Sequence, residues 1–485
     1  MAGYSELFLR TAKDAMRPAV VVCDRTTPCE KVIARLAETG SNCAVITRGG
    51  GRVVGQLSGR DVAHRVAFRV APETPVSEVL TGPVRVARHD ERLYRLVGVM
   101  RVTRAQYLPV VDDAGRVIGL LSRADALGAG LPRYLERLDR FAQSATVSGL
   151  RAIRQAQSDL AGDLLADRLD APEIQALLSG INEDIYRQLT ANAVEGLALD
   201  GWGRPPAAFA VMVMGSGGRR ESFLGPDQDN GLIIADYPDA EHTAVDAYFA
   251  EFAARLNRDL DQVGIPYCQG HVMARNPLWR KSHSQWLAQL DYWMRSRRPQ
   301  VLLNASVLLD FRVVCGDVAL GQSLRRLMVE RVGGSPGFMR ALMLADSPKE
   351  VGLGWFDRLV TESDDSIHQG EINLKRHGIM PIVEAVRLYA LAHGVEATAT
   401  RERMRRLHEL GALNTNDLDA LTHAHGFMCH LLLAHQVQEV AAGRAPRPHL
   451  PPETLTRREH DQLVRSMKTS QGLLRRLRKT LVGDI

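Results

Sequence analysis

Two short strings set the chemistry open to this sequence. The first, Gly215-Ser216-Gly217-Gly218-Arg219-Arg220-Glu221, follows an apolar run from Phe209 to Met214 that has the length and β-rich character of a buried strand. Glycines at 215, 217 and 218 let a ligand approach the backbone. Ser216 is placed to cap a helix opening at Arg219-Arg220-Glu221, so amides, hydroxyl and helix dipole would all face an anion such as a phosphate. The second string, Asp227-Gln228-Asp229-Asn230, begins eleven residues after Ser216 and leads into Leu232-Ile233-Ile234. Positions i and i+2 of a strand share a face, so Asp227 and Asp229 would present two carboxylates side by side. Such a pair is costly unless a cation sits between the two charges. Hard oxygen donors beside a phosphate turn suit magnesium- or manganese-dependent transfer from a nucleoside triphosphate. The plainer reading is a glycine turn between strands followed by a solvated acidic hairpin. A dinucleotide fingerprint would need Gly at position 220, where Arg220 stands, and no G-x-x-x-x-G-K-[ST] string occurs.

A two-metal transfer calls for a third carboxylate that can also orient the attacking hydroxyl. Asp310 is the candidate, because it interrupts the apolar run Val301 to Val314, which reads as a strand. A buried carboxylate needs a partner. Arg312, at i+2 on the same face, is either that partner or a phosphate ligand beside a metal-bound Asp310.

The arrangement resembles the DNA polymerase beta nucleotidyltransferase superfamily, whose pattern is Gly-Ser, a short helix, then Asp-x-Asp on the next strand. Within it, the two strings look like those of bacterial nucleotidyltransferases related to the nitrogen-sensor uridylyltransferases, with Ser222 where Gln is common and Pro226 where Thr is common. The resemblance implies Asp227, Asp229 and Asp310 as catalytic metal ligands, with Gly215, Ser216, Gly218, Arg219 and Lys375 on the phosphates. It extends to Gln269–Trp279 and to the string Gly370-Glu371-Ile372-Asn373-Leu374-Lys375, and makes Glu221, Asn276, Arg280 and Arg312 candidate substrate contacts. For Asn276 and Arg280, a structural loop packed by Trp279 is the alternative; His377 reads as a surface group. The implied reaction is attack of an acceptor hydroxyl on the α-phosphorus with release of pyrophosphate. The acceptor would be the tyrosine of a small signalling protein, a metabolite or a nucleic-acid end. A catalytically silent nucleotide sensor that acts through partner contacts is the competing reading. A built-in reversing activity is not expected.

The N-terminal quarter holds an internal repeat. Gly55-Gln-Leu-Ser58-Gly-Arg-Asp61 reappears as Gly119-Leu-Leu-Ser122-Arg-Ala-Asp125, an offset of 125 − 61 = 64 residues. Each copy follows a strand, turn and strand, with a helical stretch upstream at Cys29 to Thr39 and at Asp90 to Thr103. This is similar to a cystathionine-beta-synthase (CBS) pair over about residues 14 to 128. That resemblance implies an adenine nucleotide beside Ser58 and Asp61 or beside Ser122 and Asp125, and a homodimer through the pair. A carboxylate accepts well from a vicinal diol; each Ser-x-x-Asp could equally do no more than cap its own helix.

At 485 residues the chain is too long for one core. The expected fold is a multidomain α/β and α+β chain: a tandem CBS module over 1–130, a helical connector over 131–203, a polymerase-beta-like core of mixed sheet and helices over 204–320, and a C-terminal helical bundle over 321–485 that binds substrate. The connector is expected from apolar residues at helical spacing, Leu135, Leu138 and Phe141, then Leu150, Ile153, Leu160, Leu164 and Leu165. A balance of 61 basic and 56 acidic residues leaves only +5, too little to point to nucleic acid. The six cysteines form no C-x-x-C, and no run of about 18 apolar residues occurs, so a reduced, cytoplasmic protein without a membrane span is expected. The amphipathic, basic stretch Thr454 to Thr480 reads as a terminal helix packed on the bundle.

Overall fold

The 64-residue repeat folds as two copies of one three-stranded sheet, each with a helical crossover. In the first, β1 (Val22–Asp24) leads through α1 (Cys29–Thr39) to β2 (Cys43–Arg48), which it pairs in parallel, and β3 (Arg52–Ser58) returns antiparallel. The second repeats this with β4 (Ala87–Arg88), α2 (Leu93–Val102), β5 (Tyr107–Val111) and β6 (Val117–Ser122). Parallel neighbours need such a crossover, which is why a helix precedes the central strand in both copies. The ladder slips between Ile46 and Thr47 in one copy and between Val110 and Val111 in the other, 110 − 46 = 64 residues on. Arg52 and Arg116, themselves 64 apart, bridge each other, so the copies meet at equivalent positions. In the first copy Val32 and Leu36 of α1 pack with Ala44, Ile46 and Leu57 of the sheet.

The computed structural model describes residues 10–19, 21–80, 84–103, 105–128, 146–166, 168–296, 298–345, 351–363 and 368–482. It separates into two compact units, Met1–Gly149 and Leu150–Ile485. The stretch expected as a connector supplies helices to the second unit. Leu150, Ile153, Leu160 and Leu164 are buried in α3 (Val147–Ala166), and α4 (Ala171–Leu199) is largely buried along its length. Leu135, Leu138 and Phe141 lie outside the described residues.

The second unit is built on a four-stranded mixed sheet. Strand β7 (Phe209–Val213) is followed by the single turn α5 (Gly215–Arg219), β8 (Asn230–Ile234), α6 (His242–Val263), β9 (Arg280–Ser282), α7 (His283–Arg295), α8 (Pro299–Leu308) and β10 (Arg312–Gly316). The strand order is β10-β7-β8-β9, with β7 antiparallel to both neighbours and β8 parallel to β9. Buried on both faces, β7 reads as an unbroken apolar run and β8 is apolar from Leu232 to Ile234. Phe209 packs on Phe249 and Phe252 of α6 at 5.2 and 5.1 Å between ring centroids. The indole of Trp286 donates to the Leu232 carbonyl at 2.9 Å, fixing α7 to the sheet.

The run Val301 to Val314 is not one strand. Pro299 opens α8, which ends at Leu308, and the strand starts only at Arg312. A long apolar run does not distinguish a buried helix from a strand, and Pro at the first helical turn is the signal that decides here. Asp310 therefore sits in the turn between helix and strand. The remaining chain is mainly helical: α9 (Val318–Gly333), α10 (Pro336–Ala345), α11 (Met380–Ala392), α12 (Thr400–Glu409), α13 (Thr415–Ala441) and α14 (Arg457–Val482), with a two-residue ladder between β11 (Ile372–Asn373) and β12 (His449–Leu450). Helix α14 turns Leu463, Met467, Leu473 and Leu477 inward, and its basic face stays outside. Among the described residues no helix is long and apolar enough to cross a membrane. All six cysteines are free thiols.

Candidate active site

Strand β7 delivers the chain to Gly215, whose φ of 55° is left-handed and suits glycine. A Cβ at this position would lie 3.0 Å from the Asp229 Oδ2, so the missing side chain lets that carboxylate rest against the turn. At Gly218 a Cβ would overlap the carbonyl oxygen of Asp310. Ser216 does not cap a following helix: α5 already begins at Gly215, its N-cap is Met214, and Ser216 lies within it on the wall of a cleft.

The Asp-x-Asp string sits one step ahead of β8, not within it. Its backbone is still strand-like, because Met214 donates to the Asp229 carbonyl at 2.8 Å and Gln228 bridges Tyr267 in parallel. Its alternate members are pinned inside. Gln228 donates to the carbonyls of Asn257 and Ile265 at 2.9 and 2.8 Å. The Asn257 amide donates to Gln228 at 2.8 Å and to Asn230 at 3.0 Å, and Asn230 accepts from the Ala274 amide and donates to the Tyr186 hydroxyl. With Gln228 and Asn230 buried and saturated, the period of two turns Asp227 and Asp229 outward together. They face a cleft whose walls include Ser216, Gly217 and, from α4, Glu183 and Tyr186.

Ligand atoms of Asp227, Asp229 and Cys268 lie within 4.8 Å of one another. Burial first, and then the neighbouring Asp227 charge, push the Asp229 pKa up to about 7, against the Cys268 thiol, Lys375 and Arg219. The Cys268 thiol is itself pushed up to about 12 by burial and by Asp229. Two carboxylates that resist joint ionisation are a donor set a divalent cation would satisfy, so these residues fit a metal. Lys375 arrives from the helical region. Solvent reaches it, yet the protein crowded around it lowers its pKa; Asp227 and Asp229 oppose that shift and Arg219 adds to it. Its ammonium thus shares the field of the acidic pair, where an anionic substrate tail would find it.

Asp310 does not join them. Fully buried, it pairs with Arg403 at 2.7 Å, Arg219 at 2.8 Å and Arg387 at 3.0 Å. Burial alone would raise its pKa, but Arg403, Arg387 and Arg219 overcome this and hold it well below the usual carboxylate range. The expected third metal ligand is instead the centre of an arginine cage, because a buried carboxylate takes cationic partners wherever the fold supplies them. The same cage removes Arg219 from the phosphates: it is buried and bonded to Asp310 and, at 2.7 Å, to Glu221. Glu221 accepts from the Thr400 amide at 2.6 Å and faces inward rather than towards substrate. Arg312 donates to the Gly218 carbonyl and to Thr398, and so is neither the partner of Asp310 nor placed on the cleft wall.

Asn276 lies in the loop before β9 and Arg280 opens that strand, and both side chains turn back onto the loop. Asn276 accepts from the Leu278 amide at 3.0 Å and donates to the His271 carbonyl, and Arg280 ties Asp246 to the carbonyls of Ala274 and Arg275. Sequence reasoning missed Cys268, Glu183 and Tyr186. Only Cys268 carried a signal, as the residue ending the short apolar stretch that runs alongside Gln228.

In the first unit both Ser-x-x-Asp strings close on themselves, and in the first copy the Ser58 amide also donates to Asp61 at 3.0 Å, completing a capping box. The Ser58 hydroxyl donates to Asp61 at 2.6 Å and accepts from its amide; Ser122 and Asp125 do the same. The copies differ in the second carboxylate oxygen. In Asp125 it accepts from Arg17 at 2.6 Å, whereas Arg65 stays 3.7 Å from that of Asp61.

Comparison with known proteins matches residues 155–300 to the family described as "Putative nucleotidyltransferase DUF294" and 336–481 to "Putative nucleotidyltransferase substrate binding domain". CBS domains match at 12–67 and 76–131. A bifunctional glutamine synthetase adenylyltransferase/adenylyl-removing enzyme of Mycobacterium avium is 26% identical over 322 residues, 62% of this chain and 30% of that protein. The chain thus spans about a third of the length of that relative. An uncharacterized protein of Methanocaldococcus jannaschii is 26% identical over 102 residues, 21% of this chain and 24% of its own. Among solved structures, the CBS domain of a bacterial CNNM/CorC family Mg2+ transporter in complex with ATP is 19% identical with a TM-score of 0.24, covering 26% of this chain and 89% of that one. CBSX2 in complex with AMP is 23% identical with a TM-score of 0.23, covering 24% and 94%.

Proposed function

Because the chain belongs to the nucleotidyltransferases of the DNA polymerase beta superfamily that carry a CBS pair, we propose that it moves a nucleoside monophosphate from a triphosphate to an acceptor hydroxyl at the Asp227–Asp229 cleft. The observation that carries this reading is the acidic pair, held outward by a buried amide network against a glycine turn, with Lys375 in its field. Asp227 and Asp229 would hold magnesium or manganese, which would neutralise triphosphate charge as a Lewis acid. Gly215 and Ser216 admit the phosphate tail to the turn, and Lys375 stabilises the charge that builds on departing pyrophosphate. With Asp310 engaged in its cage, Asp229 is the carboxylate left to orient the acceptor hydroxyl. A protein acceptor, modified by adenylyl or uridylyl transfer, is the form that the adenylyltransferase relative and the uridylyltransferase resemblance favour.

The test is incubation of the full chain with magnesium and each α-labelled nucleoside triphosphate, with and without cell extract. Label on an acceptor and stoichiometric pyrophosphate are expected. Equal, background-level results for wild type and the Asp227→Asn/Asp229→Asn variant with every nucleotide would leave the second reading, a silent nucleotide sensor, which the caged Asp310 favours. Lys375→Met is expected to raise KM for the triphosphate about tenfold, the loss of roughly one charge-assisted hydrogen bond, with steady-state kinetics as the check.

The CBS pair is the proposed regulatory site. The first cleft, around Ser58 and Asp61, is the better receptor for an adenine nucleotide, because the corresponding oxygen of Asp125 is already taken by Arg17. Calorimetry with AMP, ADP and ATP should show binding that Asp61→Ala weakens at least about tenfold and Asp125→Ala leaves nearly unchanged, since a charged acceptor bond contributes about 1.5–3 kcal/mol. Equal losses in both variants would overturn the assignment to one cleft.

A further inference from the structure

A second cluster of metal-ligating side chains lies in the helical region. His368, Glu371 and His449 bring ligand atoms within 4.8 Å of one another. A ring nitrogen of His368 stands 2.9 Å from a Glu371 carboxylate oxygen, and the two imidazoles stack at 3.8 Å between centroids, 7° from parallel. Backbone pairing puts them there. The ladder of β11 and β12 sets Asn373 opposite His449, the Glu362 amide donates to the Glu371 carbonyl at 2.8 Å, and the Glu371 amide donates to that of His368 at 2.9 Å. The three donors are therefore assembled by the chain itself, which is how a site is organised in advance of its ion. Glu362 stands 3.9 Å from both His449 and His377, where a carboxylate can orient a ligating imidazole.

We propose that His368, Glu371 and His449 form a site for a divalent transition-metal ion of the zinc class. Two imidazoles and a carboxylate are borderline donors that favour zinc, cobalt or nickel over magnesium, in contrast to the Asp227–Asp229 pair. Three protein donors leave a fourth position for water. Arg447 is the cation that faces the cluster, 3.3 Å from the His368 Nδ1 and 3.6 Å from Glu371, and it is also held by Glu439 at 3.2 Å, towards which it would swing as an ion took its place. Glu371 precedes Lys375 by four residues, so the ion would brace the segment that carries Lys375 to the acidic pair.

The experiment uses the full chain without a polyhistidine tag, stripped with a chelator and titrated with cobalt(II). One equivalent should produce visible d–d absorption of a low-coordinate ion, displaced by zinc. The absorption should persist in Asp227→Asn/Asp229→Asn, which separates it from the transferase reading, and its affinity should fall at least about tenfold in His368→Ala and in His449→Ala. His449 is buried, so if its variant does not fold, the half-buried Glu371→Gln and His368→Asn decide. No absorption in wild type, or a titration unchanged in these variants, overturns the site.

Discussion

Asp227→Asn/Asp229→Asn should lower nucleotidyl transfer by about 10³-fold or more, since metal-based charge stabilisation is worth several kcal/mol and each 1.4 kcal/mol is a factor of ten. Folding should survive, because the buried anchors of the string are Gln228 and Asn230 and both remain. Stability provides a second readout with a defined sign. The Asp229 pKa is raised from 3.8 to about 7 in the folded chain, so its contribution is fully present below pH 3.8 and is lost as pH rises through 7. Metal-free wild type should therefore melt at falling temperature across that window, and Asp229→Asn should flatten the trend. Magnesium should restore wild-type stability above pH 7 and do little for the variant. Thermal melts across pH 4–8, with and without magnesium, check all of this. A loss of activity without any change in the pH trend would place the effect elsewhere than in the paired carboxylates.

Asp310→Ala is the substitution expected to damage the fold most. It leaves Arg219, Arg387 and Arg403 buried without their common anion. Breaking a buried ion pair from one side costs about 3–5 kcal/mol, and three cations share this one. The cage joins the turn before β10 to α5, α11 and α12, so the sheet and the helical layer should loosen together. Chemical denaturation should show a midpoint shift of that size. The separating comparison is Asp310→Asn, which keeps shape and some hydrogen bonds. A structural anion predicts a large stability loss in both variants and unchanged magnesium affinity in whatever folds. A metal ligand predicts the opposite, near-normal stability and weakened magnesium binding.

Much of the fold was legible because its signals are local. The repeat shows in identical spacing, Ser58 and Asp61 against Ser122 and Asp125, and the structure duplicates even the register slip at Ile46 and Val110. β7 is readable as an apolar run of strand length, and β8 by its apolar end Leu232-Ile233-Ile234. The acidic pair was readable because a period of two needs no tertiary knowledge. What failed was pairing at long range. By spacing alone Asp310 and Arg312 share a strand face, but Pro299 starts a helix and puts Asp310 in a turn, where its partners come from positions 219, 387 and 403. Nothing in local sequence marks an arginine 93 residues downstream as the mate of a given aspartate.

The sequence alone therefore determined the duplicated module, the glycine turn and the two carboxylates beside it, since each follows from backbone period and residue type within a few positions. Only tertiary structure decided which charged groups meet water and which meet each other. Asp229 stays by the cleft because buried amides hold its neighbours, while Arg219 and Asp310, equally fit for phosphate and metal on paper, neutralise each other in the core, where unpaired charge is too costly to leave.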